Sequence, residues 1–193
     1  MSVRLIKFLP VLGLSLLGAI APAASFTNIF IDGVLAGPGN PTLFGSSGLT
    51  FSLPSHFLLG VGTKSLTLDY RVTADPGKSL TAFSMFPTGV ARNGTVSIVN
   101  SHTNGSTQND TYAFTAGNSL TTLPNSLNNG LNGMTQYDVH AVINLVGAAT
   151  NSVNKVTIYS VSYTESVPEP ASLAAISLGL GALVARRRRN IKS

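Results

Sequence analysis

Between residues 24 and 166, three histidines and six carboxylates could move protons or hold a metal: His56, His102, His140, Asp32, Asp69, Asp75, Asp110, Asp138 and Glu165. A nucleophilic triad or a zinc site needs such groups in close reach. No HExxH or comparable spacing occurs around any histidine. His140 falls on the opposite face of an alternating segment from Val139 and Ala141, which makes it a water-facing side chain. A glycosidase needs two carboxylates across a cleft. Asp69 and Asp138 qualify only if folding brings them together. The chain has no cysteine, which removes thiolate catalysis, cysteine-ligated metals and disulfides. Calcium would need clustered oxygen ligands. The segment from Asn104 to Asp110 offers oxygens, without the dense Asp spacing of a calcium loop. No catalytic, cofactor or metal residue is therefore assigned, and a non-enzymatic protein is expected.

Two further sets of residues carry weaker chemistry. Asn93-Gly-Thr, Asn104-Gly-Ser and Asn109-Asp-Thr fit the N-glycosylation pattern, but chance matches are expected in a chain this rich in Asn and Thr. Tyr70, Tyr112, Tyr137, Tyr159 and Tyr163 could stack on sugar rings. There is no Trp, and packing in a core or on a sheet face is their simpler use.

The elements that must position these groups read as strands. In Ser65 to Thr73, Leu66, Leu68, Tyr70 and Val72 alternate with Thr67, Asp69, Arg71 and Thr73. A period of two gives one buried and one wet face. Asp75-Pro76-Gly77 reads as a turn, and Leu80 to Phe86 as the partner strand of a hairpin. Arg92-Asn93-Gly94 reads as another turn, followed by a strand over Thr95 to Asn100. Asn104 to Asp110 reads as a polar loop, Thr111 to Thr115 as a short strand, and Pro124 to Gly133 as an Asn- and Gly-rich loop. Tyr137 to Val146 and Asn151 to Glu165 read as strands, as do Asn28 to Leu35 and Leu49 to Leu53, with loop over Gly37 to Pro41. No window keeps a helical period, and no repeat of solenoid length occurs. The expected fold is all-β: an antiparallel β-sandwich of Greek-key or jelly-roll type.

The net charge of +5 is misleading, because the ends hold most of the cations. From Ala24 to Ser166, Lys64, Arg71, Lys78, Arg92 and Lys155 stand against the six acids, five against six, leaving −1. Nothing there suggests a nucleic-acid partner. Arg4 and Lys7 precede an apolar run from Phe8 to Ile20, and Ala21-Pro22-Ala23 places small residues at alternate positions. That order is a secretory signal, read by signal peptidase at Ala21 and Ala23, with cleavage after Ala23 or Ser25.

At the other end, Val167-Pro168-Glu169-Pro170 precedes an apolar stretch over Ala171 to Ala185, and Arg186, Arg187, Arg188 and Arg189 follow. Two prolines around one residue hold the spacer extended. As a helix the apolar stretch would be about 22 Å long, short of a bilayer core of roughly 30 Å, although arginines can snorkel to the interface. The arginines keep the C-terminus cytoplasmic.

This tail resembles the PEP-CTERM sorting signal of Gram-negative bacteria over some 26 residues, with its three parts in order. The resemblance implies recognition by exosortase, an integral-membrane cysteine protease or transpeptidase. It also implies removal of the tail and delivery to the cell surface or extracellular matrix, often beside exopolysaccharide in biofilm. The three sections of the chain are a signal peptide over 1–24, an ectodomain over 25–166 and the sorting signal over 167–193. The function expected is that of an exported structural or adhesive protein, crossing the inner membrane transiently and associated with extracellular polysaccharide. A surface carbohydrate-binding module using tyrosines on one sandwich face is the second reading, and a secreted hydrolase the third.

Overall fold

A computed structural model describes residues 24–124 and 127–167. The signal segment, including Ala21 and Ala23, lies outside the described residues. So does the sorting signal beyond Val167, that is Pro168, Glu169, Pro170 and Arg186 to Arg189.

Thirteen strands are described: β1 (Ser25–Ile31), β2 (Val34–Leu35), β3 (Thr42–Leu43), β4 (Gly48–Ser52), β5 (Phe57–Leu59), β6 (Gly62–Thr73), β7 (Ser79–Arg92), β8 (Gly94–Asn104), β9 (Ser106–Ala116), β10 (Thr121–Thr122), β11 (Leu127–Met134), β12 (Gln136–Gly147) and β13 (Val153–Ser166). They form two antiparallel sheets. One has the order β2-β1-β6-β12-β8-β9. The other runs β10-β7-β13-β4-β3, with β11 also on β7 and β5 also on β13. The all-β antiparallel expectation holds.

The core lies between the sheets because each long strand has one apolar face. Leu68, Val72, Ile98, Ala141 and Ile143 come from one sheet, and Phe51, Leu80, Phe83, Met85 and Val161 from the other, all essentially inaccessible. Among the described residues, every core side chain comes from residues 24–163. Close packing also needs missing side chains. A Cβ on Gly147 would stand 1.9 Å from the carbonyl oxygen of Gly60, which is far inside contact distance.

Three sequence expectations are corrected. The run from Leu66 to Phe86 is not a hairpin: β6 and β7 belong to different sheets. Asp75-Pro76-Gly77 turns the chain from one layer to the other. Lys78 bridges Asp75 at 2.8 Å and Glu165 at 3.0 Å, and Glu165 also accepts the Asp75 N–H. That cluster fastens the start of β7 beside the end of β13. A turn sequence alone does not say whether the next strand pairs or crosses.

Asn104 to Asp110 is not a loop. The chain reverses tightly at Gly105 (φ +73°) and β9 begins at once, with Asn104 facing Ser106 and Asn100 facing Asp110. Pro124 to Gly133 is not all loop either, since β11 pairs with β7. Its Leu127 and Leu131 pack on the core, while its Asn and Gly residues hide the strand from composition.

β13 fixes the long axis. Ser166 pairs with Ser79 and Ser25 pairs with Thr73, so both ends of the domain emerge at one pole. Val153, at the start of β13, lies at the other pole, on the order of 40 Å away at strand rise.

Candidate functional site

The sheet's inner positions are occupied by core side chains, so chemistry available to a ligand must come from the outward positions. On β6 these are Thr67, Asp69, Arg71 and Thr73, and on β12 Asp138, His140, Val142 and Asn144. The antiparallel register sets Asp138 against Arg71 and His140 against Asp69. Two acid–base pairs therefore stand side by side on one exposed face.

Arg71 grips Asp138 with two parallel bonds, Nε to Oδ1 at 2.7 Å and Nη2 to Oδ2 at 2.9 Å. These hydrogen bonds from Arg71 hold the Asp138 carboxyl below its ordinary value. The same contacts raise the Arg71 guanidinium. His140 Nδ1 is hydrogen-bonded to Asp69 Oδ1.

An aromatic side chain joins them through an irregularity in β1. Thr27 pairs with Arg71, but the next pair is Phe30 with Asp69, one residue further than regular pairing allows. Asn28 sits at the break with φ 53°. A one-residue insertion reverses which side chains face the core. Phe26 before the bulge packs inward, Ile29 and Ile31 after it also pack inward, and Phe30 is turned outward. The result is an open depression of about 270 Å³ lined by Asn28, Phe30, Asp69, Arg71, Thr103, Asp138 and His140.

Beyond it the same face is a field of short polar groups. Thr103 bonds Thr107, Thr95 bonds Thr115, and Ser65 donates to Asn144.

The condition on Asp69 and Asp138 is thus met: both line one depression. An acid catalyst must hold a proton, and Arg71 drives Asp138 the other way. Ser101 lies opposite His140 on β8, so Asp69, His140 and Ser101 form a row. However, β12 is paired on both sides, by β6 and β8, so its N–H groups serve the ladders and none is offered to an oxyanion.

The other candidate residues lie elsewhere. His56 and His102 are buried. His102 sits between the layers, with Nε2 3.2 Å from the Tyr163 hydroxyl, which is 2.8 Å from that of Tyr70. Burial lowers its pKa to about 4, so the ring is neutral at pH 7. Asp110 Oδ2 lies 3.6 Å from His102 Nδ1, and Asn129 donates to Asp110 Oδ1 at 2.6 Å. Asp110 therefore serves the interior and not a calcium loop. Among the described residues no group of three His, Asp or Glu side chains is placed to hold a metal.

All five tyrosines are buried, Tyr112 being the most exposed at 7%, so none offers a face to a sugar. Their use is in the core, as when Tyr159 donates to Asn100 at 2.6 Å. Asn93, in the first glycosylation pattern, is held by Asn118 and Asn151. Val167 is exposed at the foot of β13.

Sequence reasoning missed Phe30, Asn28 and Thr103 as site residues. The alternation showed that Asp69 and Arg71 share a wet face, but only the register names their partners, and nothing in SFTNIFI marks the bulge.

Residues 166–189 match a family model described as the PEP-CTERM protein-sorting motif. The chain therefore carries that motif and is an exported protein that transits the membrane. No curated protein matches it. Among solved structures, TmCBM61 in complex with β-1,4-galactotriose is similar at 12% identity, covering 71% of this chain and 85% of its own, with a TM-score of 0.31. The enzymatically active domain of bacteriophage CBA120 tailspike protein 4 is similar at 15% identity, over 74% of this chain and 19% of its own, with a TM-score of 0.31. A family 11 carbohydrate-binding module from Clostridium thermocellum, in complex with a β-1,3-1,4-mixed-linked tetrasaccharide, has 9% identity, coverages of 78% and 90%, and a TM-score of 0.23. At this level of similarity none bears on the ligand of the present chain.

Proposed function

We propose that the chain is an exosortase-sorted surface protein whose sandwich binds carbohydrate without catalysing a reaction on it. One observation carries this: the bulge in β1 places Phe30 beside the Arg71–Asp138 and Asp69–His140 pairs in one solvent-open depression. Carboxylates accept hydrogen bonds from vicinal hydroxyls, a guanidinium donates two in a fixed fork, and an aromatic face packs on the C–H side of a pyranose ring. Within each pair the two side chains hold each other in place before a ligand arrives, which lowers the ordering cost of binding.

The sorting signal supplies the setting. Signal peptidase removes the leader, exosortase removes the tail at Pro168-Glu169-Pro170, and the domain is left at the cell surface or in extracellular polysaccharide as an adhesive component.

Two experiments test the two halves of the proposal. A glycan array with residues 24–167 is expected to show binding that Arg71→Ala and Phe30→Ala each reduce at least tenfold; a flat array removes the carbohydrate reading. The intact mass of the protein recovered from its host, with and without the sorting enzyme, is expected to show tail loss only with the enzyme. A retained C-terminus in both strains would make the tail a plain anchor.

A further inference from the structure

The charges of the domain are segregated by pole. Asp69, Asp75, Asp138 and Glu165 lie toward the pole where both chain ends emerge, Asp110 lies at mid-strand, and the cations near that pole, Arg71 and Lys78, are paired with acids. The remaining cations, Lys64, Arg92 and Lys155, lie at the far pole. Among the described residues no carboxylate is within ion-pair distance of any of the three. Lys64 donates to the Ser55 carbonyl and Arg92 to that of Asn151. Asp32, the one other acid, accepts from the Thr67 N–H.

The strand register puts Arg92 and Lys155 on one sheet face, and Lys64 reaches the rim of that face from β6 of the other sheet. Across β7, β13 and β5, Arg92 faces Val153, which faces Leu59; next to that row, Val90 faces Lys155, which faces Phe57. Lys64 Nζ stands 5.3 Å from the centre of the Phe57 ring. Leu59 is 65% exposed, and Val61, in the adjoining turn, is 67% exposed. Leu120, one residue before the Thr121–Ala91 pair and so next to Arg92, is 57% exposed. Cations thus alternate with aliphatic side chains that project into water.

We propose that this far pole is a docking surface for an anionic lipid leaflet. Leu59, Val61, Leu120 and Phe57 would enter the interface, and Lys64, Arg92 and Lys155 would meet the headgroup phosphates. Lipid is favoured over an acidic glycan because unpaired cations stand together with the exposed aliphatic side chains Leu59, Val61 and Leu120, a combination that an anionic leaflet takes up by apolar insertion and charge attraction together. Apart from Lys64, which lies at the far end of β6, the strand residues of the patch belong to the other sheet from the depression, and the patch is on the order of 40 Å from Ser166. A domain freed from its tail would therefore meet a membrane by the pole opposite the one it was sorted from.

The test uses residues 24–167, which contain every core side chain among the described residues, after a check of cooperative unfolding. Co-sedimentation is measured with vesicles of equal parts phosphatidylglycerol and phosphatidylcholine, and with phosphatidylcholine alone. Binding is expected to the mixed vesicles only and to weaken with salt. A cation near an anionic leaflet contributes about a fivefold change in partition, so Lys64→Gln/Arg92→Gln/Lys155→Gln is expected to lose on the order of 100-fold. Leu59→Ser/Val61→Ser is expected to weaken binding with the charges intact.

No binding to either vesicle overturns the proposal. So does binding to polygalacturonate without vesicle binding, or a dimer that covers Leu59 and Phe57. The carbohydrate variants Arg71→Ala and Phe30→Ala are expected to leave vesicle binding unchanged, so the two surfaces fail or succeed separately.

Discussion

Lowering the pH should weaken this domain through His102, and by an amount the structure sets. The ring is inaccessible to solvent and its Nδ1 has no hydrogen-bond partner. Burial depresses its pKa from 6.5 to about 4. The unfolded chain therefore binds a proton between those values that the folded chain refuses, and stability rises with pH across that window. Read downward, the loss begins near pH 6.5 and levels off below pH 4. Two and a half units at 1.36 kcal/mol each make about 3 kcal/mol. That figure is an upper bound, because Asp110 Oδ2 at 3.6 Å would pair with a protonated ring.

The assay is urea unfolding from pH 7.5 to 3.5 for the parent and for His102→Gln. His56→Gln serves as the common background, because His56 is also buried with a lowered pKa. The parent should lose most of those 3 kcal/mol between pH 6.5 and 4. His102→Gln should start less stable, through its altered contact with Tyr163, and lose less across the window. Equal slopes for the two proteins, or a His102 pKa near 6.5 by NMR titration, would refute the reasoning.

Three other outcomes follow from the same structure. Ile143→Ala, which removes an inaccessible side chain between Leu66 and Ile98, is expected to cost about 2–5 kcal/mol in denaturant unfolding. Gly147→Ala places a Cβ against the Gly60 carbonyl, and a thermal melt is expected to show a lower midpoint or no cooperative transition. Lys78→Met removes the ammonium that bridges the Asp75 and Glu165 carboxylates and leaves only the Asp75 N–H bond to Glu165; amide exchange is expected to speed up at residues 163–166 and stay unchanged at Ile98, and protection equal to the parent's would mean that the ammonium does not hold the end of β13.

The strands were largely legible where alternation is strict, as in β12 and the second half of β6. Tyr137 to Val146 and Ser65 to Thr73 name their own buried faces. What was not legible is relational. Asp75-Pro76-Gly77 marks a turn wherever it leads, so pairing and crossing look alike in sequence. The Asn and Gly residues of β11 carry no strand signal, and that strand exists because Leu127 and Leu131 find the core and β7 offers an edge. Likewise, Asp69, Arg71, Asp138 and His140 were each visible as wet-face residues. Their union depends on a register across 67 to 71 positions of chain, which no local pattern encodes. The tyrosines show the reverse case: aromatic residues that could serve a sugar are all used between the sheets.

The most direct measurement is an amide NMR titration of residues 24–167 with the host's own extracellular polysaccharide. Carbohydrate binding at the depression predicts shifts at residues 28–30, 69–71, 103 and 138–140, abolished in Arg71→Ala. No shifts, or shifts confined to Phe57, Leu59, Arg92 and Lys155, would contradict it.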